Sequence, residues 1–315
     1  MLAALLLVPG ATAAKPVLAV ANSQQDVAAV TLSDLAETAS DYRLPLLLIA
    51  SGLVLVMLWA GDVIKPGSLT RSGLRDVKAL PGMVWFFCAL MVLLSLPLAA
   101  GAVAGQEWID AAWLGGNSSE VRSVAVPMVV GSLAGVTVAL AMAYIVGRSA
   151  GTAGLQPKAP DVPIGLGLFV LALPIVLLLN VSAVAAHEAV TGEQLPDGTI
   201  AHPTLQLIFD NAGNPWTWAI IVSVVIAIPL IEEVAYRAFL QSAIFRWTGN
   251  VWVGIVLTAA LFAAMHIGLS GAGAADESGE SGAATGVPWY AAGGIFLLGL
   301  ACGRAYERTR RIGAR

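Results

Sequence analysis

The run A-I-P-L-I-E-E-V-A-Y-R-A-F-L-Q, residues 227–241, places two adjacent carboxylates, Glu232 and Glu233, and one guanidinium, Arg237, in an otherwise apolar stretch that starts near Trp216. About twenty apolar residues are what a helix needs to cross roughly 30 Å of hydrocarbon. The stretch therefore reads as a membrane span over about 216–236 that continues as V-A-Y-R-A-F-L-Q-S-A-I-F-R-W, residues 234–247. An ionised group near the centre of such a helix costs roughly 2.5–3.5 kcal/mol on insertion scales, so something must offset it. Arg237 follows Glu233 by four residues, with the acid N-terminal to the base, the favourable order for a pair on one helix face. Glu232 points about 100° away. It has Tyr236 one turn on and a second carboxylate beside it in low dielectric. A carboxyl group in that setting is a candidate proton acceptor. An intrahelical ion-pair network would leave the second acid superfluous, whereas a proton or cation pathway stays open as an alternative.

Outward from this run, six further apolar stretches fall at about 44–61, 80–104, 122–147, 163–187, 251–268 and 287–304. The chain is 58% hydrophobic and 11% charged, against roughly 45–50% and 25% for soluble domains. That excludes a soluble globular protein, and continuous rather than alternating apolar runs exclude an outer-membrane barrel. The expected fold is all-α, a polytopic membrane protein with seven transmembrane helices over 43–315. The first fourteen residues, M-L-A-A-L-L-L-V-P-G-A-T-A-A, resemble a secretory signal without its usual positive charge, and 15–42 read as a polar extracytoplasmic segment. Thirteen of the sixteen Lys and Arg fall in segments on one side; only Lys15, Arg43 and Arg122 fall on the other. The positive-inside rule then puts the N-terminus outside and the C-terminus in the cytoplasm. A net charge of −4 offers no basic surface for nucleic acid, so membrane lipid is the expected surrounding partner. Residues 269–286, rich in Gly, Ala and Ser, read as an external connector. Gly299 and Gly303 form G-x-x-x-G, a close-packing signal. Cys88 and Cys302 lie in apolar runs and read as small buried residues.

In the sixth stretch, L-F-A-A-M-H-I-G carries His266. Glu233 lies sixteen residues before Gly249 and His266 sixteen after Asn250. In a regular antiparallel hairpin both stand about 24 Å from the turn at 1.5 Å per residue, which brings an acid and an imidazole to one height. His187 reads as an interfacial residue at the outer end of the fourth stretch, His202 as a loop residue, and Asn180 as a helix–helix hydrogen-bond donor. Trp108, Trp113, Trp216, Trp218 and Trp289 fit an aromatic belt.

E-E-V-A-Y-R (232–237) resembles the E-E-x-x-x-R motif of the CPBP family, the CAAX-prenyl-protease and bacteriocin-processing intramembrane proteases, and F-A-A-M-H (262–266) resembles that family's F-x-x-x-H. Downstream, F-L-L-G-L-A-C-G-R-A-Y-E-R-T (296–309) resembles its Gly-rich helix and Y-x-R-T-like turn. The resemblance covers about 216–309. It implies that Glu232 and His266 activate water for attack on a peptide bond, that Glu233 supports them, and that Arg237 and Phe262 anchor the two motifs. It further implies a membrane-associated or lipidated substrate, a CAAX-type chain among them, and a bacterial cytoplasmic membrane as the location. A divalent metal such as zinc, with Glu232 and His266 among its ligands, is a cofactor the resemblance allows. The family's last motif, H-x-x-x-N, has no counterpart before the sequence stops at Arg315. The expectation is then a weak enzyme or a catalytically impaired binding, scaffold or immunity protein of the same fold.

The charge asymmetry carries a direct test of sidedness. Ser72→Cys, in a background without Cys88 and Cys302, is shielded from an impermeant thiol reagent in intact cells, whereas Ser278→Cys labels. Labelling at position 72 with intact membranes would reverse the topology.

Overall fold

The structure, a computed structural model, describes residues 32–64, 80–106, 109, 119–147, 154–155, 161–192, 203–271 and 292–309. The signal-like segment 1–14, the greater part of 15–42 and of the connector 269–286, His202, Trp108, Trp113 and Trp289 lie outside the described residues. Within them all regular structure is helical. The elements are α1 (Leu32–Ala60), α2 (Gly82–Val103), α3 (Ser119–Val146), α4 (Asp161–Thr191), α5 (Pro203–Asp210), α6 (Pro215–Thr248), α7 (Val251–Gly271) and α8 (Ala292–Thr309).

The described part of each of the seven apolar runs lies on a helix. Four helices, over Gly82–Val103, Glu120–Val146, Gly165–Thr191 and Pro215–Thr248, are long and apolar enough to cross a membrane, and Leu44–Ala60 and Val251–Ile267 are shorter apolar helices. The chain is thus an all-α membrane protein. Three boundaries differ from the sequence reading. Helix α1 starts at Leu32, inside the segment read as extramembrane, because helix formation continues past the end of the apolar run. Helix α8 runs to Thr309, so the Y-E-R-T stretch is its last turn rather than a turn between elements. The short α5 precedes the tight Asn211–Asn214 turn, where Thr217 Oγ1 donates to the Asn211 carbonyl and the Asn214 side chain caps α6 by accepting from the Trp216 amide.

Between helices in lipid, apolar burial gives little driving force, so close packing through small residues and internal polar contacts decides the arrangement. Helix α2 packs along α3, and α7 along α8; α6 lies among α2, α3 and α7, while α4 joins α1 to α8. Glycines mark the tightest crossings. A Cβ on Gly131 would stand 2.8 Å from the Leu96 carbonyl oxygen, and one on Gly135 2.7 Å from Ile231 Cδ1. On α8 a Cβ at Gly299 would stand 3.0 Å from that of Ala259. The Gly299/Gly303 signal therefore sets helix approach, and α3 carries a second such pair that composition alone did not single out. Trp85, Tyr236, Phe239 and Phe262 fill the centre of the bundle, whereas Leu53, Met57, Leu166 and Val170 are exposed on helix faces suited to lipid.

Helix α6 is not regular. Over Ser223–Ala227 and again over Val234–Leu240 its hydrogen bonds run from residue i to i−5, shown by Ile228 N–H to the Ser223 carbonyl and Gln241 N–H to that of Tyr236. Pro229 follows the first wide turn; its ring removes a donor and crowds the carbonyl four residues back. Helix α6 ends at Gly249, whose φ of 66° is a left-handed cap, and Asn250 then opens α7 by accepting from the Trp252 amide at 2.9 Å.

The Gly135–Ile231 contact predicts that Gly135→Ala overpacks α3 against α6 and lowers stability by about 1–3 kcal/mol, the range for an added core methyl without room. Thermal unfolding in detergent measures it. Adding Ile231→Val should recover part of the loss, and no recovery would place the strain elsewhere.

Candidate functional site

The segment between the two wide turns of α6, Ile228–Glu233, presents both acids. Glu233 Oε1 lies 3.5 Å from Arg237 Nε, with Glu233 about 20% exposed and Arg237 1%. Glu232 Oε1 lies 3.6 Å from His266 Nε2, and these side chains are 23% and 19% exposed. The structure therefore brings together Glu232, Glu233, Arg237, Phe262 and His266. It departs from the sequence count in one respect: the acid facing the imidazole is Glu232, seventeen residues before Gly249 instead of sixteen. The reason is the wide turn at Val234–Leu240, which takes up one more residue than a regular turn and shifts the register by one.

His266 is oriented from behind. Its Nδ1 lies 2.7 Å from the Phe262 carbonyl oxygen. A carbonyl only accepts, so Nδ1 carries the proton and donates, and Nε2 is the nitrogen turned to Glu232. The Phe262 ring is held on three sides. Tyr236 meets it edge-on with centroids 5.1 Å apart at 85°, the Arg237 guanidinium carbon sits 5.2 Å from its centroid, and the His266 ring is 4.4 Å away. Tyr236 and Phe262 are buried. Edge-to-face aromatic pairs and cations over rings are each worth about 0.5–2 kcal/mol, enough to fix a ring's position.

Sequence reading named Tyr236 only as a neighbour of Glu232 and passed over Gln241, one turn beyond Arg237. Gln241 is fully buried and donates through Nε2 to the Gly303 carbonyl and to Glu307 Oε1. The available signal was its spacing, four residues after Arg237 on a buried face. His187 sits in the last turns of α4, where its carbonyl accepts from Thr191 Oγ1. Asn180 is half-buried and makes no side-chain hydrogen bond among the described residues, contrary to the expected interhelical bond. Cys88 and Cys302 are both free thiols.

A zinc centre takes three or four protein ligands. Among the described residues no group of three or more His, Cys, Asp or Glu side chains is gathered to hold an ion. Glu232 and His266 supply two donors, and Glu233 is engaged with Arg237. The described donors fall short of a zinc site.

Fold and site define a helical membrane protein with an acid–imidazole pair between two consecutive helices. Residues 214–314, 101 of 315, match the model of a protein family described as Type II CAAX prenyl endopeptidase Rce1-like. The similarity is confined to this region, which starts at the Asn214 cap of α6. No curated protein and no solved structure matches the chain.

The burial of Arg237 yields a prediction that needs no substrate. Arg237→Met leaves Glu233 without its cation and lowers stability by about 3 kcal/mol, the lower end for breaking a buried pair because Glu233 is partly exposed. Glu233→Gln together with Arg237→Met should lose less than Arg237→Met alone. Thermal unfolding of Arg237→Met, Glu233→Gln and the double variant against the parent is the measurement, and a double variant that loses as much as the sum of the two single losses would show the pair is not coupled.

Proposed function

We propose that this protein is an intramembrane endopeptidase that hydrolyses peptide bonds in membrane-associated or lipidated proteins, CAAX-type chains among them, with Glu232 and His266 as its reactive pair. The observation that carries the reading is the 3.6 Å approach of Glu232 Oε1 to His266 Nε2 inside the region matched to the CAAX-protease family. At that separation one water can reach hydrogen-bonding distance of both atoms at once, on the order of 2.8 Å from each. As its oxygen attacks the carbonyl carbon, the pair takes one proton from the water. The same proton passes to the amide nitrogen as the C–N bond breaks, which yields a carboxylic acid and an amine and returns the pair to its starting state; the acid then gives up its remaining proton to the amine or to water.

The other residues serve that geometry. Phe262 supplies the carbonyl that fixes the imidazole tautomer, and Arg237 pairs with Glu233 to hold the acid-bearing segment in place. All seven helices over the apolar runs cross the bilayer, with the N-terminus outside and the C-terminus in the cytoplasm, as the basic residues distribute.

Glu232→Gln and His266→Asn should each lower cleavage of a panel of prenylated and unmodified C-terminal peptides by about 10²–10⁴, the range for removing a general acid–base group. Membrane insertion and thermal midpoint should stay near those of the parent. Full cleavage by inserted Glu232→Gln protein would remove the water-activating role.

A further inference from the structure

The wide turn at Val234–Leu240 has the sequence V-A-Y-R-A-F-L, with neither proline nor glycine. Local propensity favours ordinary α turns for such residues, and wide turns are rare and concentrate at functional sites. Pro45, Pro97, Pro127 and Pro174 lie in α1 to α4 without widening them, so even proline does not impose this winding by itself. What keeps the turn open is therefore tertiary. At its head stand the Glu233–Arg237 pair and the guanidinium over Phe262. At its foot stands Gln241.

Gln241 does two things at once. Its backbone N–H donates to the Tyr236 carbonyl, the bond that closes the wide turn. Its side-chain Nε2 donates to the Gly303 carbonyl at 3.0 Å and to Glu307 Oε1 at 2.9 Å, both on α8. Gln241 and Glu307 are 0% and 1% exposed, and a Cβ on Gly303 would stand 2.9 Å from Gln241 Oε1, so glycine is what lets the amide reach the α8 backbone. Buried hydrogen bonds of this kind are costly to leave unmade, and one to a carboxylate is among the stronger ones.

Glu232 lies upstream of the wide turn, whereas His266 is reached from its downstream side, through Gly249 and along α7. Relaxing one wide turn to an α turn rotates the upstream part by about 100° and moves it by about 1.5 Å relative to the downstream part. The acid at the height of His266 would then be Glu233, the residue that a regular-helix count selects, and Glu232 would turn away. We infer that Gln241 and Glu307 are positioning residues: their bond across to α8 holds the wide turn of α6 and so decides which of two adjacent carboxylates faces His266. The consequence for cleavage rests on the reading of Glu232 and His266 as the reactive pair. The register does not, and is measured without substrate.

The experiment uses the full chain in nanodiscs with His187→Gln and His202→Gln, which leaves His266 as the one ¹⁵N-labelled imidazole. In this background Glu232→Gln should shift the Nε2 resonance; no shift would overturn the proposal, since the pair would not be in contact. With Gln241→Leu added, the resonance should no longer respond to Glu232→Gln. If Gln241→Leu fails to fold, Gln241→Leu with Glu307→Met, which removes both buried polar partners, takes its place with the same expectation. A retained response in either folded protein overturns the inference. Val121→Ala, in the separate cluster of Val121, Ala125, Ile220 and Val224, loosens the bundle away from Gln241 and should leave the response intact. Loss of the response there as well would also overturn it, because the loss would then report general loosening. Failure of the peptide assay would sink the hydrolase reading while leaving this result to stand or fall alone.

Discussion

A guanidinium sealed inside a membrane-embedded bundle is the constraint on which the site depends. Arg237 is 1% exposed, and its Nε and Nη1 make no hydrogen bond among the described residues, so its charge is met by the Glu233 carboxylate at 3.5 Å and the face of Phe262 at 5.2 Å. In low dielectric such contacts are worth more than in water, and the loss of one leaves the other partner stranded. Arg237 helps hold the Phe262 ring, while the Phe262 carbonyl, set by the backbone of α7, accepts from Nδ1 and turns Nε2 of His266 toward Glu232. The approach of His266 to Glu232 thus stands next to a buried charge, Arg237, that touches neither of them in the proposed reaction.

How much of this was legible in the sequence depends on the length scale of each signal. Apolar runs of about twenty residues are long and redundant, so the helices they demand appear at the expected places. The Glu233–Arg237 pair was legible because four-residue spacing survives on the helix face. Which acid meets His266 was legible from the motif resemblance, which paired it with Glu232, but not from the residue count, because that count assumed 3.6 residues in every turn and V-A-Y-R-A-F-L carries no local mark of its wider winding. Gly131 and Gly135 escaped notice for a related reason: a small-residue pair acquires meaning only from what stands opposite, here the Leu96 carbonyl and Ile231. The extension of α8 through Tyr306 and Glu307 to Thr309 was hidden by charge, since polar residues in a hydropathy profile read as an exit from the membrane. Glu307 is nevertheless buried, held by an amide 66 residues away in sequence, a contact no local pattern encodes.

The anchor and the pair are burdened differently by the bilayer. Arg237, Gln241 and Glu307 are almost wholly buried, where an unmet polar group is most costly and therefore most specifying. Glu232 and His266 stand about one-fifth exposed. A reactive pair as buried as Arg237 would be rigid but unreachable; one set on an open lipid-facing surface would be reachable but dry and poorly held. Leu230 and Met265, neighbours of the pair in sequence on α6 and α7, are 48% and 41% exposed, so these helices carry large apolar side chains on outward faces suited to lipid. For the proposed reaction this favours an apolar, membrane-seated chain over a freely dissolved one. It also makes water the scarce reactant. In that reaction two acceptors 3.6 Å apart are close enough to share one water, and such positioning is worth most when neither acceptor moves. On the inference drawn above, the buried Gln241–Glu307 bond and the Glu233–Arg237 pair, on either side of the wide turn, are what would hold Glu232 in place.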